Sequence, residues 1–108
     1  MSAMADAADG SRYWASGNWR VAEGNADEFL ERWTEFLTWT KESVDGFLWA
    51  RLIRDRHEPT HFVSFSSWRD LDSLKSWRSH PEFESLFAAC RALCTDSTTG
   101  SFELARAV

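Results

Sequence analysis

Lysine is almost missing from this chain. Only Lys41 and Lys75 occur among 108 residues, the formal net charge is −5 and the arginines are scattered, so no clustered cationic surface is available to neutralise phosphates. That balance argues against nucleic acid as a partner. A run of about 18 apolar residues, the minimum for a bilayer-spanning helix, is also lacking. The start, MSAMADAADG, has acidic residues where a signal peptide would carry positive charge and an apolar stretch, which predicts a cytoplasmic protein. Cysteine is scarce. Cys90 and Cys94 lie four residues apart on one predicted helix, a spacing that is neither a zinc pattern nor a CxxC redox pair, and they read as reduced thiols packed as small apolar groups. No Ser-His-Asp set, phosphate-cradling glycine loop or paired-carboxylate site stands out.

Aromatic residues, by contrast, are abundant. Seven Trp and eight Phe in a chain long enough for only one core imply a bulky interior, a ligand cavity walled by rings, or an apolar surface buried against another subunit. Residues 1–11 are small, polar and acidic without periodicity and predict a flexible tail, leaving 12–108 as a single domain.

The segment from Thr60 to Phe87 is the most informative. Its first part alternates, with His61, Val63 and Phe65 on one face and Phe62, Ser64, Ser66 and Trp68 on the other, so it reads as a strand. Asp70 can then cap a helix whose stripe is Leu71, Leu74, Trp77 and Arg78. Pro81 removes a donor from any helix interior but suits a first turn, which predicts a break and a second short helix.

Upstream, residues 12–22 read as a Trp-rich strand, and Gly24 with Asn25 as a turn into a long helix. Asn25 and Glu28 resemble a capping box, and Phe29, Trp33, Phe36, Leu37 and Thr40 form the apolar stripe. Asp45 and Gly46 end that helix; residues 47–55 read as a strand with Leu48, Ala50 and Leu52 opposite Phe47, Trp49, Arg51 and Ile53. Residues 54–59 supply a hairpin loop, 95–100 a polar turn and 101–108 a closing strand. The order is the ferredoxin-like βαββαβ plan of an α+β domain: a four-stranded antiparallel sheet with its helices on one face, the second helix broken near Pro81. The strand at 47–55 looks covered on both faces, so the sheet face without helices needs other cover. A second copy of the chain would supply it, which predicts a homodimer.

In this order the segments NWRVAEGNADEFLERWTEF, DGFLWARLIRDRHEPTHFVSFSSWRDLDSLKSW and HPEFESLF resemble the antibiotic biosynthesis monooxygenase (ABM) domain family of the dimeric α+β barrel superfamily, over most of residues 18–107. The parts that carry the likeness are the Gly24 turn, Val44-Asp45-Gly46-Phe47, the strand ending in Trp68, and the helix break between Trp77 and Phe83. The resemblance implies a monooxygenase that oxidises a phenolic, polyketide-like or quinol substrate with molecular oxygen and no cofactor. A non-enzymatic small-molecule-binding or dimerisation domain on the same fold is the alternative. A haem-degrading branch also exists; there Trp77 matches a family Trp, but the family Asn falls near Gly17, with Asn18 one residue out, and the ligating His falls nearest Phe87.

Oxygenation without a cofactor needs a cavity that excludes water, a group that takes a phenol proton and a donor for developing negative charge. Matched to the phenol-oxidising members of the family, Asn18, His61 and Trp77 are the candidate catalytic residues, with Trp68, Arg51, Phe83 and Phe87 against the substrate and no metal ligand. Each has a structural reading beside it. Trp68 and Trp77 suit core packing, Asn18 and Arg51 a backbone carbonyl or a charge across the dimer, and His61 a solvated hairpin start. His80, before Pro81, reads as a helix cap and His57 as a loop residue.

Overall fold

A computed structural model describes residues 9–108. Its elements are β1 (Tyr13–Val21), α1 (Ala26–Ser43), β2 (Phe47–Arg54), β3 (His61–Trp68), α2 (Leu71–Ser79), α3 (Pro81–Arg91) and β4 (Cys94–Glu103). The strands form one antiparallel sheet in the order β2-β3-β1-β4, as the ferredoxin-like plan requires. The tail expected over residues 1–11 lies outside the described residues up to residue 8. Of the remainder, Ser11 is buried, its hydroxyl bonded to that of Ser67, and Asp9 accepts from the Trp49 indole at 2.6 Å.

The turns explain themselves through glycine and caps. Gly46 sits at φ +87°, and a Cβ there would stand 2.1 Å from the Ser73 hydroxyl on the first turn of α2, so both conformation and space demand glycine. Asp70 caps α2, accepting from the Ser73 amide at 2.8 Å, and the Ser73 side chain together with that amide holds its carboxyl below the usual range. His80 is extended between α2 and α3, with Pro81 in the first turn of α3, so the break falls where the proline predicts it.

Two local expectations change. Asn25 makes no capping bond; its side-chain amide donates across the fold to the Leu93 carbonyl at 3.4 Å, a tertiary contact that outcompetes the local one. The polar turn expected at residues 95–100 is instead the body of β4, which pairs with β1 from Cys94 onward, and residues 104–108 lie beyond it. An edge strand with neither face deep in the core carries few apolar residues, so its composition imitates a turn.

Register fixes the two faces of the sheet. Ala15, Gly17 and Trp19 of β1 pair with Ser66, Ser64 and Phe62 of β3 on the face under the helices. Phe29, Phe36 and Leu37 of α1, Leu74 and Trp77 of α2 and Cys90 of α3 complete the core there. Trp33, expected in the core stripe, is only half-buried. Cys90 and Cys94 are free thiols; burial pushes Cys90 up to about 12 and Cys94 to about 11, so both are protonated and inert at neutral pH. The opposite face carries Trp14, Trp49, Val63, Ile53, Phe65 and Phe102, the last three 53%, 37% and 56% exposed.

Candidate functional site

Between the inner sheet face and the helices lies a cavity of about 150 Å³. Its floor comes from Ala15, Gly17, Trp19, Ser64 and Ser66, its roof from Trp33, Phe36 and Leu37 of α1, and its far wall from Trp77, Phe83 and Phe87, with Arg78 and Thr99 also lining it. The break at Pro81 creates the far wall, because two short helices meeting at an angle bring Trp77 and Phe83 together where one straight helix would separate them.

The rings form a continuous belt. Phe36 stacks on Trp77 at 5.6 Å, Trp77 meets the edge of Phe83 at 4.8 Å, Phe83 stacks on Phe87 at 5.6 Å, and Phe87 reaches Trp19 at 5.4 Å. Such a belt offers ring faces and edges to a planar guest.

The polar groups are few and specific. Trp19 Nε1 donates to Ser64 Oγ at 3.0 Å, and Trp68 Nε1 donates to Ser66 Oγ at 2.9 Å. Gly17 makes the first of these bonds geometrically accessible: a Cβ on it would lie 2.5 Å from Trp19 Nε1 and 2.7 Å from Ser64 Oγ. Arg78 donates to the Gly100 carbonyl at 3.3 Å and pairs with no carboxylate among the described residues. Burial pulls its guanidinium below the usual arginine value, and it remains the positive group of the cavity.

The residues singled out from sequence divide between the two sides of the sheet. Trp77, Phe83 and Phe87 come together at the cavity. Trp68 lies one layer behind, fully buried, 4.9 Å from Trp77 and bonded to Ser66. Asn18, His61 and Arg51 are on the opposite face, because Asn18 alternates with Gly17 and Trp19, His61 with Phe62, and Arg51 with Ala50 and Leu52. There the His61 ring donates through Nδ1 to Asp55 Oδ2 at 3.0 Å and bonds through Nε2 to Asn18 Oδ1 at 2.7 Å. Asp55 also accepts from the His57 and Glu58 amides, and these bonds, that from His61 foremost, hold its carboxyl down to about 2. The Glu58 carboxylate pairs with Arg20, while His61 pairs with Asp55; the carboxylate oxygens of Asp55 and Glu58 and a ring nitrogen of His61 lie within 4.8 Å of one another at the β2–β3 hairpin. Arg51 lays its guanidinium 5.3 Å from the Trp49 ring centre and donates to the Ala50 carbonyl at 2.7 Å. His80 meets the edge of Trp39 at 5.5 Å, and His57 is exposed.

Ser64, Ser66, Gly17, Trp19 and Arg78 were not singled out as site residues from sequence. Their signal was present for the serines, since period two puts Ser64 and Ser66 on the Phe62–Trp68 face.

This architecture defines the class: a ferredoxin-like α+β domain holding a ring-walled cavity between sheet and helices. The chain belongs to the antibiotic biosynthesis monooxygenase family, whose profile matches residues 13–89. Among solved structures it is similar to SnoaB, a cofactor-independent oxygenase from Streptomyces nogalater, at 23% identity and a TM-score of 0.81, over 91% of this chain and 97% of that one. A conserved protein from Methanosarcina mazei shares the fold at 11% identity and a TM-score of 0.77, over 89% of this chain and 95% of its own. At these identities the likeness is one of fold. Comparison with curated protein sequences finds no match. No helix among the described residues is long and apolar enough to cross a membrane.

Proposed function

We propose that this domain is a cytoplasmic, cofactor-independent monooxygenase that holds a phenolic or quinol ring in the cavity and lets it react with molecular oxygen. The observation that carries the reading is the cavity itself: a belt of rings lined also by two buried serines and by the exposed Arg78, in a chain of the monooxygenase family. A volume of about 150 Å³ suits one six-membered ring, the size of void that holds benzene in a dry protein interior, so a polycyclic polyketide would insert its terminal ring and project from the mouth.

No carboxylate or histidine lines the cavity among the described residues, so the phenol proton leaves to solvent at the mouth. The Arg78 charge and the serine hydroxyls favour the resulting phenolate. The electron-rich phenolate passes an electron to oxygen, the two radicals join at a hydrogen-bearing ring carbon ortho or para to the oxygen, and the peroxide takes a proton back from solvent and loses water to leave a quinone. Phenol and oxygen in, quinone and water out, the step balances with the substrate as sole reductant. Trp77, Phe83 and Phe87 hold the ring and exclude water, and Trp68 backs Trp77. Asn18, His61 and Arg51 act outside this chemistry, on the face proposed to meet a second copy of the chain, where exposed Ile53, Phe65 and Phe102 call for cover.

Oxygen uptake with a panel of anthrones and quinols tests the reading, with consumption and one oxygen atom per product as the expected result. That no carboxylate or histidine among the described residues lines the cavity favours one rival, a binding domain without turnover. Ligands that quench Trp fluorescence in the cavity but consume no oxygen would decide for it.

A further inference from the structure

We propose that Ser64 and Ser66 are paired hydrogen-bond donors, their hydroxyl hydrogens without an acceptor in the fold, that make the cavity selective for a ring bearing an acceptor oxygen, phenolate or keto, over the same ring bearing an amine. The proposal rests on the reading of the cavity as the substrate site and adds which chemical group that site recognises.

A serine hydroxyl can normally donate or accept, and so discriminates little between ligands. Here each oxygen is already engaged as an acceptor, Ser64 by the Trp19 indole at 3.0 Å and Ser66 by the Trp68 indole at 2.9 Å. An indole N–H is a donor only, so the direction of both bonds is fixed. Each serine retains one hydrogen, and neither hydroxyl donates a hydrogen bond among the described residues. Both residues are buried, 8% and 4% exposed, and both line the cavity. Two residues apart on one strand, they present their hydrogens side by side on the same face.

The rest of the fold preserves this arrangement. Gly17 leaves the space through which the Trp19 indole reaches Ser64, and any Cβ would intrude on both atoms of that bond. Trp68 is wholly buried between Phe47 and Trp77, so its indole cannot turn away from Ser66. Thr40 makes an instructive contrast: it accepts from Trp77 at 2.9 Å but donates to the Phe36 carbonyl at 2.9 Å, so its one hydrogen is already spent. An aryl amine could give a hydrogen to the second lone pair of a serine oxygen, but its own lone pair is drawn into the ring, so it would leave the serine hydrogens unpaired. A phenolate or ketone would bring the missing acceptor, and leaving buried donors unpaired is what penalises the wrong ligand.

The test is anaerobic binding of 4-chlorophenol, 4-chloroaniline and chlorobenzene, read by Trp fluorescence. Chlorobenzene reports the walls alone. In the unaltered protein 4-chlorophenol should bind about tenfold or more tightly than 4-chloroaniline, a ratio equivalent to one charge-assisted hydrogen bond. Ser64→Ala and Ser66→Ala should each bring that ratio towards unity without changing chlorobenzene affinity, and Ser64→Thr, which keeps the hydroxyl, should restore it. Trp19→Phe is the sharper variant, because it leaves both serines in place and merely frees the Ser64 hydroxyl to turn; the ratio should fall there too. Absorbance adds a second readout: bound 4-nitrophenol should ionise at lower pH than free, and less so in Ser64→Ala. If Ser64→Ala misfolds, Trp19→Phe and Ser64→Thr still decide. An unchanged ratio in Ser66→Ala and Trp19→Phe, with chlorobenzene affinity intact, overturns this proposal alone. Selective binding without oxygen uptake sustains it and removes the oxygenase reading. Failure of all three probes to bind removes both.

Discussion

Trp77 and Thr40 are joined across the core by a bond from the indole Nε1 to the threonine hydroxyl at 2.9 Å, and that hydroxyl passes the chain on to the Phe36 carbonyl at 2.9 Å. The bond ties α2 to α1 and sets the orientation of the ring that forms the cavity wall. Thr40→Val preserves the shape of a buried side chain but leaves the indole hydrogen unpaired, so it should cost about 1–3 kcal/mol in urea unfolding. Trp77→Phe removes the donor as well, and in the double variant the two losses should be less than additive. Strict additivity would show that the bond does not contribute.

Much of the fold was legible because its signals are local. Asp70, Gly46 and Pro81 each act within a turn of chain, and the alternation from Phe62 to Trp68 marks the buried face of β3 without reference to any other strand. The first strand was harder to read, since YWASGNWRV has aromatic residues on both faces and its alternation does not say whether Trp19 or Asn18 points inward. Pairing with β3 decides it, and with it the fate of His61 and Arg51. Alternation places Ser64 and Ser66 on the buried face, but not the role of their hydroxyls: that depends on the indole that occupies each oxygen, and Trp19 and Ser64 are 45 residues apart in sequence.

The outer sheet face yields a second expectation. Phe65 stands opposite Ser16 of β1 and Arg51 of β2, 37% exposed and outside the core. If that face joins two copies, it buries well over ~1,000 Å² in total, and a carboxylate placed in its middle would be desolvated without a partner. Phe65→Glu should therefore halve the mass seen by light scattering at micromolar concentration while leaving the far-ultraviolet circular dichroism unchanged. A monomer mass for the unaltered chain would refute the dimer outright.

Acid stability should depend on Asp55. Its carboxyl is held at about 2 against an ordinary 3.8, first by the bond from His61 and then by the His57 and Glu58 amides. A depressed pKa means that the folded state favours the ionised form, so the contribution is complete above 3.8 and is lost as pH falls towards about 2. Replacing Asp55 by Asn removes the titrating group. The urea midpoint of the unaltered protein should exceed that of Asp55→Asn by a constant amount near neutrality, with the gap closing across that acid window. A gap that stays constant down to the lower limit would show that Asp55 is not so held in solution.

Haem should not bind tightly. Phe87, the position nearest the ligating histidine of the haem-degrading branch, is packed against Trp19 at 5.4 Å and Phe83 at 5.6 Å, and carries the Arg91 guanidinium 5.4 Å from its ring centre. None of the three histidines lines the cavity: His61 is bonded to Asp55 and Asn18 across the sheet, His80 rests on Trp39, and His57 is in the hairpin loop. An iron ion seated over the cavity would face aromatic rings, serine hydroxyls and an arginine, none of them a good axial ligand for haem. Titration with haem should therefore give no stoichiometric, ligand-shifted Soret band, and added reductant should produce no breakdown of the porphyrin. A tight one-to-one spectrum abolished by replacing His57, His61 or His80 would overturn this and would require the cavity to open to a histidine that the fold now holds elsewhere.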